Sequence, residues 1–331
     1  MLKLNEDRRF NMSLKEEVLT VLEQNRHQVI SGQTLANELK VSRTAIWKAI
    51  HALKEDGFGI QTVSNKGYQI DEGCDILSAP QIQSYLNPSY DKNDLIIYST
   101  IGSTNEEAKK QLLQGANHGT VIMANEQTAG KGRFGRNFYS PAHTGIYMSL
   151  LLRPQLNLQC AVLLTTAVSV AVCRAIEEVC GQIVQIKWVN DIYFNDKKIG
   201  GILTEAFTDF ESGTVESVIV GIGLNVSTLE FPSELMNIAT ALKPTQGSRN
   251  QLAAAIINHT LLICENLDAT KFMTEYKSRS NVLGRDIYYV RNGERFEGKA
   301  IDFNKEGALV VQTLDGIMTL NSGEITVRVK E

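Results

Sequence analysis

Gln127-Thr-Ala-Gly-Lys-Gly-Arg-Phe-Gly-Arg136 places Gly130, Gly132 and Gly135 at the spacing G-x-G-x-x-G. In a dinucleotide-binding fold that pattern follows a strand, opens a helix, and is answered about twenty residues later by an acidic side chain that holds a ribose. Here Asn137-Phe-Tyr-Ser-Pro141 cannot open a helix at the third glycine, and no Asp or Glu occurs from Gln127 through Ile176. A nicotinamide cofactor is therefore not expected. The stretch reads instead as a flexible loop whose glycines let backbone N–H groups approach an anion, with Lys131, Arg133 and Arg136 supplying positive charge without a local counter-ion. A solvated basic surface loop has the same composition, but three spaced glycines and the missing acids favour closure over a phosphate.

On both sides of this loop, segments of strand and helix character alternate. Strands are expected at 95–98, 120–125, 145–152, 184–188, 202–207 and 215–226, and helices at 104–113, 158–180 and 251–267. That alternation predicts a mixed α/β sheet domain over 80–282. After Leu283 only short strands follow, at 286–290, 295–303, 309–313, 317–320 and 324–329, as in a small β-barrel over 283–331.

The first part of the chain has a different rhythm. Leu14, Val18, Leu19 and Leu22 fall at helical spacing, and a short segment, 32–39, follows. Ser42 is placed to cap a third helix, in which Ile46, Ala49, Ile50 and Leu53 form one apolar stripe. Its opposite side carries Arg43, Thr44, Trp47, Lys48 and His51, a face suited to a DNA major groove. Residues 60–63 and 68–70 alternate like strands around Ser64-Asn-Lys-Gly67, which makes a wing with Lys66 at its tip. A winged helix-turn-helix over 13–72 is the expectation, with 71–79 as linker. A helical protein-interaction module has similar helices, and the spacing together with the wing favours DNA. Lys40 stands where such units usually place a turn glycine, so a slightly different turn is expected.

The bulk properties set limits. A chain of 331 residues, 43% of them hydrophobic, exceeds one typical domain and fills two or three cores. A net charge of -4 disfavours a general nucleic-acid binder, so any DNA contact must be local. The five cysteines, Cys74, Cys160, Cys173, Cys180 and Cys264, include no C-x-x-C pair, and reduced, buried thiols are expected. The mixed-charge start, Met1 to Met12, lacks the apolar stretch of a signal peptide, so none is expected, and the apolar run from Cys160 to Ile176 is interrupted by Thr165, Thr166, Ser169 and Arg174. A cytoplasmic protein without membrane association follows.

The basic loop resembles the G-R-G-R-x-G-R biotin loop of the biotin protein ligases, and four further motifs follow suit. Ser103-Thr-Asn105 resembles the family's S-T-N turn, and Lys187-Trp-Val-Asn-Asp191 its K-W-P-N-D. Lys198-Ile-Gly-Gly-Ile-Leu203 is similar to K-x-x-G-I-L, and Gly221-Ile-Gly-Leu-Asn225 to G-x-G-x-N. The N-terminal winged helix and a C-terminal domain ending in Gly323-Glu-Ile-Thr-Val-Arg328 are similar to the bifunctional, repressor-type members.

The resemblance implies a biotinyl/lipoyl ligase-like catalytic domain followed by an SH3-like barrel. It also implies a reaction: biotin and ATP give biotinyl-5′-adenylate, and the biotinyl group passes to a lysine of a biotin carboxyl carrier domain of acetyl-CoA carboxylase or pyruvate carboxylase. An adenylate-bound homodimer on the operator DNA of biotin genes completes the expectation. By similarity Lys198, Arg133 and Lys131 neutralise the carboxylate and the nascent phosphate. Ser103, Thr104, Asn105, Gln127, Gly130, Gly132, Gly221 and Gly223 join them around biotin; Arg136, Phe138, Lys187, Asn190 and Asn225 take the adenylate. Asp191 is the best carboxylate for Mg²⁺, which prefers oxygen ligands and retains several waters. The bland alternatives, less favoured for Lys198, are an exposed hairpin lysine there, a surface side chain at Lys187, a helix cap at Ser103-Thr-Asn105, and ordinary turn residues at the asparagines and glycines.

Mixed-anhydride formation needs positioning and charge neutralisation rather than an enzyme nucleophile, which agrees with a chain whose histidines are scattered. Three departures stand out: Val189 for the usual proline, Lys131 for the first loop arginine, and Phe138 for a tryptophan that commonly stacks on adenine. Lipoate ligases share the catalytic fold, and a small-acid sensor without catalysis would share the winged helix. The basic glycine loop and the S-T-N turn fit biotin better.

Overall fold

The computed structural model describes residues 13–71, 73–153, 156–157, 160–208, 214–265, 267–291, 294–321 and 326–329. The chain separates into two compact units, Met1–Tyr85 and Leu86–Glu331.

In the first unit, α1 (Leu14–Gln24) starts at Ser13, whose side chain accepts from the Glu16 N–H while Glu16 reaches back to the Ser13 N–H. This reciprocal cap satisfies donors that the first turn leaves open. Helices α2 (Gly32–Leu39) and α3 (Arg43–Glu55) are capped by Ser31 and Ser42. Lys40 sits between them at φ 56° and ψ 40°, the left-handed geometry that a glycine adopts freely. The expected change of turn does not occur: the turn is kept, at a backbone cost of about 1–2 kcal/mol. Ile46, Ala49, Ile50 and Leu53 turn inward from α3 onto Leu22 and Leu35.

The wing pairs β1 (Ile60–Val63) with β2 (Gly67–Ile70) in antiparallel register, Ile60 opposite Ile70. Asn65 lies at φ 59° in the turn, and Lys66 is exposed at the tip. Gly67, at φ 142°, is obligatory: a Cβ there would lie 2.0 Å from the Ile30 carbonyl oxygen, which accepts from Tyr68 N–H at 2.8 Å. The expected linker is more structured than its composition implies. Ile76 joins the same core, and α4 (Ala79–Ser84) packs on α1, so the first unit extends past the expected start of the next domain. Six residues containing a proline and two glutamines carry no legible helical period.

The second unit is built on β3 (Leu95–Tyr98), β4 (Val121–Ala124), β5 (Gly145–Leu152), β6 (Leu156–Asn157), β7 (Gln185–Lys187), β8 (Asp191–Phe194), β9 (Lys197–Thr208) and β10 (Thr214–Asn225). Their order is β3-β4-β5-β10-β9-β8-β7, with β6 paired to β10. Among the described residues, β3 and β4 are the strands that pair in parallel. Helix α5 (Thr104–Leu113) packs on β4, β5 and β10. Helix α6 (Cys160–Cys180) packs against α7 (Arg249–Glu265), α8 (Ala269–Arg279) and β9. Strand β8 and helix α8 were not expected from sequence. Helix α8 shows only three buried side chains, Phe272, Met273 and Tyr276, a stripe too sparse to read.

The expected all-strand C-terminal domain is a five-stranded antiparallel sheet, β14-β13-β12-β11-β15. It is formed by β11 (Asp286–Arg291), β12 (Glu294–Phe303), β13 (Leu309–Thr313), β14 (Gly316–Leu320) and β15 (Thr326–Val329). The Gly323–Ile325 part of the terminal motif lies outside the described residues. Cys74, Cys173, Cys180 and Cys264 are free thiols. No helix among the described residues is long and apolar enough to cross a membrane.

Candidate functional site

One pocket gathers the sequence-predicted residues of the second unit: Ser103, Thr104, Asn105, Gln127, Lys131, Gly132, Arg133, Arg136, Phe138, Lys187, Asn190, Asp191, Lys198, Gly221, Gly223 and Asn225 all line it. Gly130 stands just behind the lining, where a Cβ would lie 2.5 Å from the Phe138 carbonyl oxygen.

The inner end is a polar network at the start of α5. Ser103 occupies the cap position of α5 without making a side-chain cap bond. Gln127 supplies the cap from outside: its Oε1 accepts from the Thr104 N–H at 2.8 Å, and its Nε2 donates to Ser140 Oγ at 3.0 Å. Asn105 is held at both ends of its amide, since Ser149 Oγ donates to Oδ1 at 2.6 Å and Nδ2 donates to Glu205 Oε2 at 2.7 Å. It leans directly over Gly221, where a Cβ would lie 2.1 Å from Asn105 Oδ1. Phe138 leans over Gly223 in the same way, 2.6 Å from a Cβ built there. Both glycines are thus needed so that side chains can cross the strand closely.

The basic segment is a closed hairpin rather than an open loop. Phe138 N–H donates to the Gly130 carbonyl and Gly132 N–H to the Arg136 carbonyl, each at 2.8 Å. Phe134 and Gly135 turn its tip at φ 56° and 70°. The expectation of positive charge without a counter-ion is corrected for Lys131. Its Nζ lies 2.5 Å from Glu106 Oε1, which comes from α5, outside the acid-free stretch. Lys109 Nζ approaches the same oxygen at 2.9 Å, and these two lysines hold the Glu106 carboxyl down at about 2. Arg133 folds inward to donate to Asn190 Oδ1 at 3.0 Å. Burial lowers its guanidinium pKa, against an opposing pull from Asp191.

The hairpin joining β8 to β9 contributes Asp191, Tyr193 and Lys198 to the lining. Lys198 Nζ forms an ion pair of 2.6 Å with Asp191 Oδ1, both side chains being partly buried. Lys198 is therefore a pocket side chain and not a freely exposed hairpin lysine. Lys187 lies across the Tyr193 ring, its Nζ 5.3 Å from the centroid. Asn190 Nδ2 donates to the Ile202 carbonyl at 2.7 Å, and Asn225 Nδ2 to the Thr240 carbonyl at 3.3 Å. The buried Oδ1 of Asn225 has no partner among the described residues. Asp191 is the one carboxylate in the lining, and no group of three His, Cys, Asp or Glu suited to a metal occurs among the described residues. The donor set fits a divalent cation carried by ligand phosphates, not a resident protein-caged metal.

Sequence reasoning missed Glu106, Ser149, Tyr193 and Glu205. Ser149 had a signal, being the only hydroxyl side chain besides Tyr147 in the apolar run from Gly145 to Leu152. The acids had none for the pocket, because Glu106 meets Lys131, and Glu205 meets Asn105 and Lys109, across long stretches of sequence.

In the first unit Arg43, Thr44, Trp47, Lys48 and His51 share the exposed side of α3. The Trp47 and His51 rings meet at a tilt of 43° with 5.5 Å between centroids, and His51 Nδ1 lies 3.3 Å from Glu55 Oε1. The Ser42 hydroxyl accepts from Ala45 N–H, so it is occupied as a cap although the residue is exposed.

Three family matches partition the chain in the same order as its domains: an HTH domain at residues 15–69, the Biotin/lipoate A/B protein ligase family at 97–225, and the Biotin protein ligase C terminal domain at 282–328. The bifunctional ligase/repressor BirA of Bacillus subtilis is 35% identical, over 95% of this chain and 98% of its own length. The Escherichia coli protein of the same description is 27% identical over 91% and 94%. Among solved structures, the biotin protein ligase from Aquifex aeolicus in complex with biotin and ATP superposes with a TM-score of 0.62 at 28% identity, covering 72% of this chain and 99% of that one. The chain belongs to the biotin protein ligase family, in its bifunctional ligase/repressor form.

Proposed function

We propose that this protein joins biotin to ATP, releasing pyrophosphate and retaining biotinyl-5′-adenylate. The amine of one lysine of a biotin carboxyl carrier domain, of acetyl-CoA carboxylase or pyruvate carboxylase, then takes the biotinyl group as an amide, and AMP leaves. The observation that carries this reading is the convergence in one pocket of neutral hydrogen-bonding groups, Ser103 to Asn105 with Gln127, and of cations, Lys131, Arg133 and Lys198. A ureido ring matches the first set, since amide and hydroxyl groups satisfy its donors and acceptor. A carboxylate meeting an α-phosphate matches the second, where fixed positive charge offsets their repulsion.

ATP enters with its magnesium ion as substrate. Asp191 is the side chain that would hold that ion, and it would supply further charge neutralisation on the phosphates. Arg136, Phe138, Lys187, Asn190 and Asn225 serve the nucleotide, and the partnerless Asn225 Oδ1 supports a ligand donor at that position. The exposed α3 face with the Lys66 wing tip contacts operator DNA of biotin genes. The adenylate-bound homodimer is the repressing form.

Biotin-dependent exchange of labelled pyrophosphate into ATP tests the enzymatic reading. Exchange is expected with biotin and not with lipoate. Lipoate-dependent exchange, or none with either acid, overturns it.

A further inference from the structure

We propose that Glu106 is a positioning residue of this pocket, holding the Lys131 ammonium while the site is empty and releasing it to the anionic acyl-phosphate end of the ligand. The inference rests on the biotin-activating reading above. Lys131 lines the pocket, yet its ammonium is bonded to a carboxylate of α5 instead of standing ready for an anion. Ligand binding is then an exchange of partners on one lysine, carboxylate for phosphate.

Four observations support the exchange. Lys109 Nζ lies 2.9 Å from Glu106 Oε1 and 2.8 Å from Glu205 Oε1, so Glu106 keeps a cation when Lys131 leaves. Release therefore strands no charge. The Glu106–Lys131 pair is partly exposed, with side chains 40% and 49% accessible, and such a pair shifts an equilibrium by only about two- to five-fold. A charge-assisted bond to phosphate is stronger than such a pair. The residue at 131 is a lysine, whose flexible stem and point charge suit movement between two anions better than a planar guanidinium fork. Glu205 Oε2 also accepts from Asn105 Nδ2, so the network behind Glu106 is fixed to the neutral groups of the pocket and does not follow Lys131.

The test compares the full-length protein with Glu106→Gln, Lys131→Met and the double variant, measuring dissociation of biotinyl-5′-adenylate by stopped-flow fluorescence at low and high ionic strength. Glu106→Gln is expected to hold the adenylate about two- to five-fold more tightly at low ionic strength. The gain should shrink as salt screens the pair, and vanish in the Lys131→Met background. Glu106→Ala, which offers neither lysine a partner, should behave as Glu106→Gln does. Equal or weaker binding by Glu106→Gln, or a gain that survives in the double variant, overturns the inference. A parent protein that binds the adenylate without any Glu106 effect brings down this inference alone. A parent that does not bind it brings down the functional reading as well.

Discussion

Replacing Gly221 by alanine tests whether Asn105 and β10 are fitted to one another as the pocket requires. The added Cβ would lie 2.1 Å from Asn105 Oδ1 and 2.9 Å from its Cγ, well inside contact distance. Asn105 cannot yield cheaply, because it is buried and its amide is bonded to Ser149 and Glu205 at 2.6 and 2.7 Å. Overpacking of this kind costs about 1–3 kcal/mol. If Asn105 is expelled, the ligand loses one neutral hydrogen bond as well, about 0.5–1.5 kcal/mol, or roughly two- to twelve-fold in biotin affinity. Thermal unfolding and calorimetric biotin titration read the two effects. Gly102→Ala is the matched control, since nothing lies within 4 Å of a Cβ there, and it should leave both measurements unchanged. A Gly221→Ala protein with parental melting temperature and parental biotin affinity would refute the fitted arrangement.

Four further outcomes are expected. Lys198→Ala should reduce biotin-dependent pyrophosphate exchange by at least about tenfold, the scale of a lost charge-assisted bond, with an unchanged circular dichroism spectrum; near-normal exchange removes Lys198 from its proposed role. Arg133→Ala should hasten adenylate release, because the side chain that folds inward onto Asn190 is gone, and an unaltered off-rate contradicts closure by the hairpin. The Glu106 carboxyl is held at about 2 rather than 4.5, so its stabilising contribution is complete above pH 4.5 and is lost as the pH falls toward 2. Glu106→Gln should therefore lose less stability than the parent over that window in acid denaturation, and parallel curves would count against the pairing. Arg43→Ala with Lys48→Ala should weaken retardation of biotin-operator DNA while leaving exchange intact, and undiminished retardation would refute the α3 face as the reader.

The parts of the fold that were legible in sequence are those governed by local rules. The stripe Ile46, Ala49, Ile50, Leu53 is periodic because one helix face meets one core, and Ser42 precedes it because a helix start leaves donors open. The strands β5 and β10 read clearly because both are buried along nearly their whole length. What stayed hidden depends on distant partners. Helix α8 owes its place to Tyr276, whose hydroxyl donates to the Val189 carbonyl and whose ring meets Phe303, neither of which a local window contains. The site motifs were visible, while the acids that tune them were not. Glu106 appears in sequence as one of two acids at the start of an ordinary polar helix, and only folding brings Lys131 to it from 25 residues away.

The chemistry of the pocket follows from how its charges are stored. Five basic side chains, Lys131, Arg133, Arg136, Lys187 and Lys198, line it against the single carboxylate Asp191, in a chain whose net charge is -4. Bare cations in such a cleft would bind any polyanion. Here Lys198 is bonded to Asp191, Lys131 to Glu106 and Arg133 to Asn190, so a ligand gains only the difference between its own contacts and those it replaces. An inorganic polyphosphate recovers part of that difference, because it cannot also engage the neutral groups at Asn105 and Gln127. On the proposed reading, a molecule that carries a ureido ring and presents its carboxylate beside a nucleotide phosphate engages both sets of contacts. Selectivity thus arises from the partners already in place as much as from the positive charge itself.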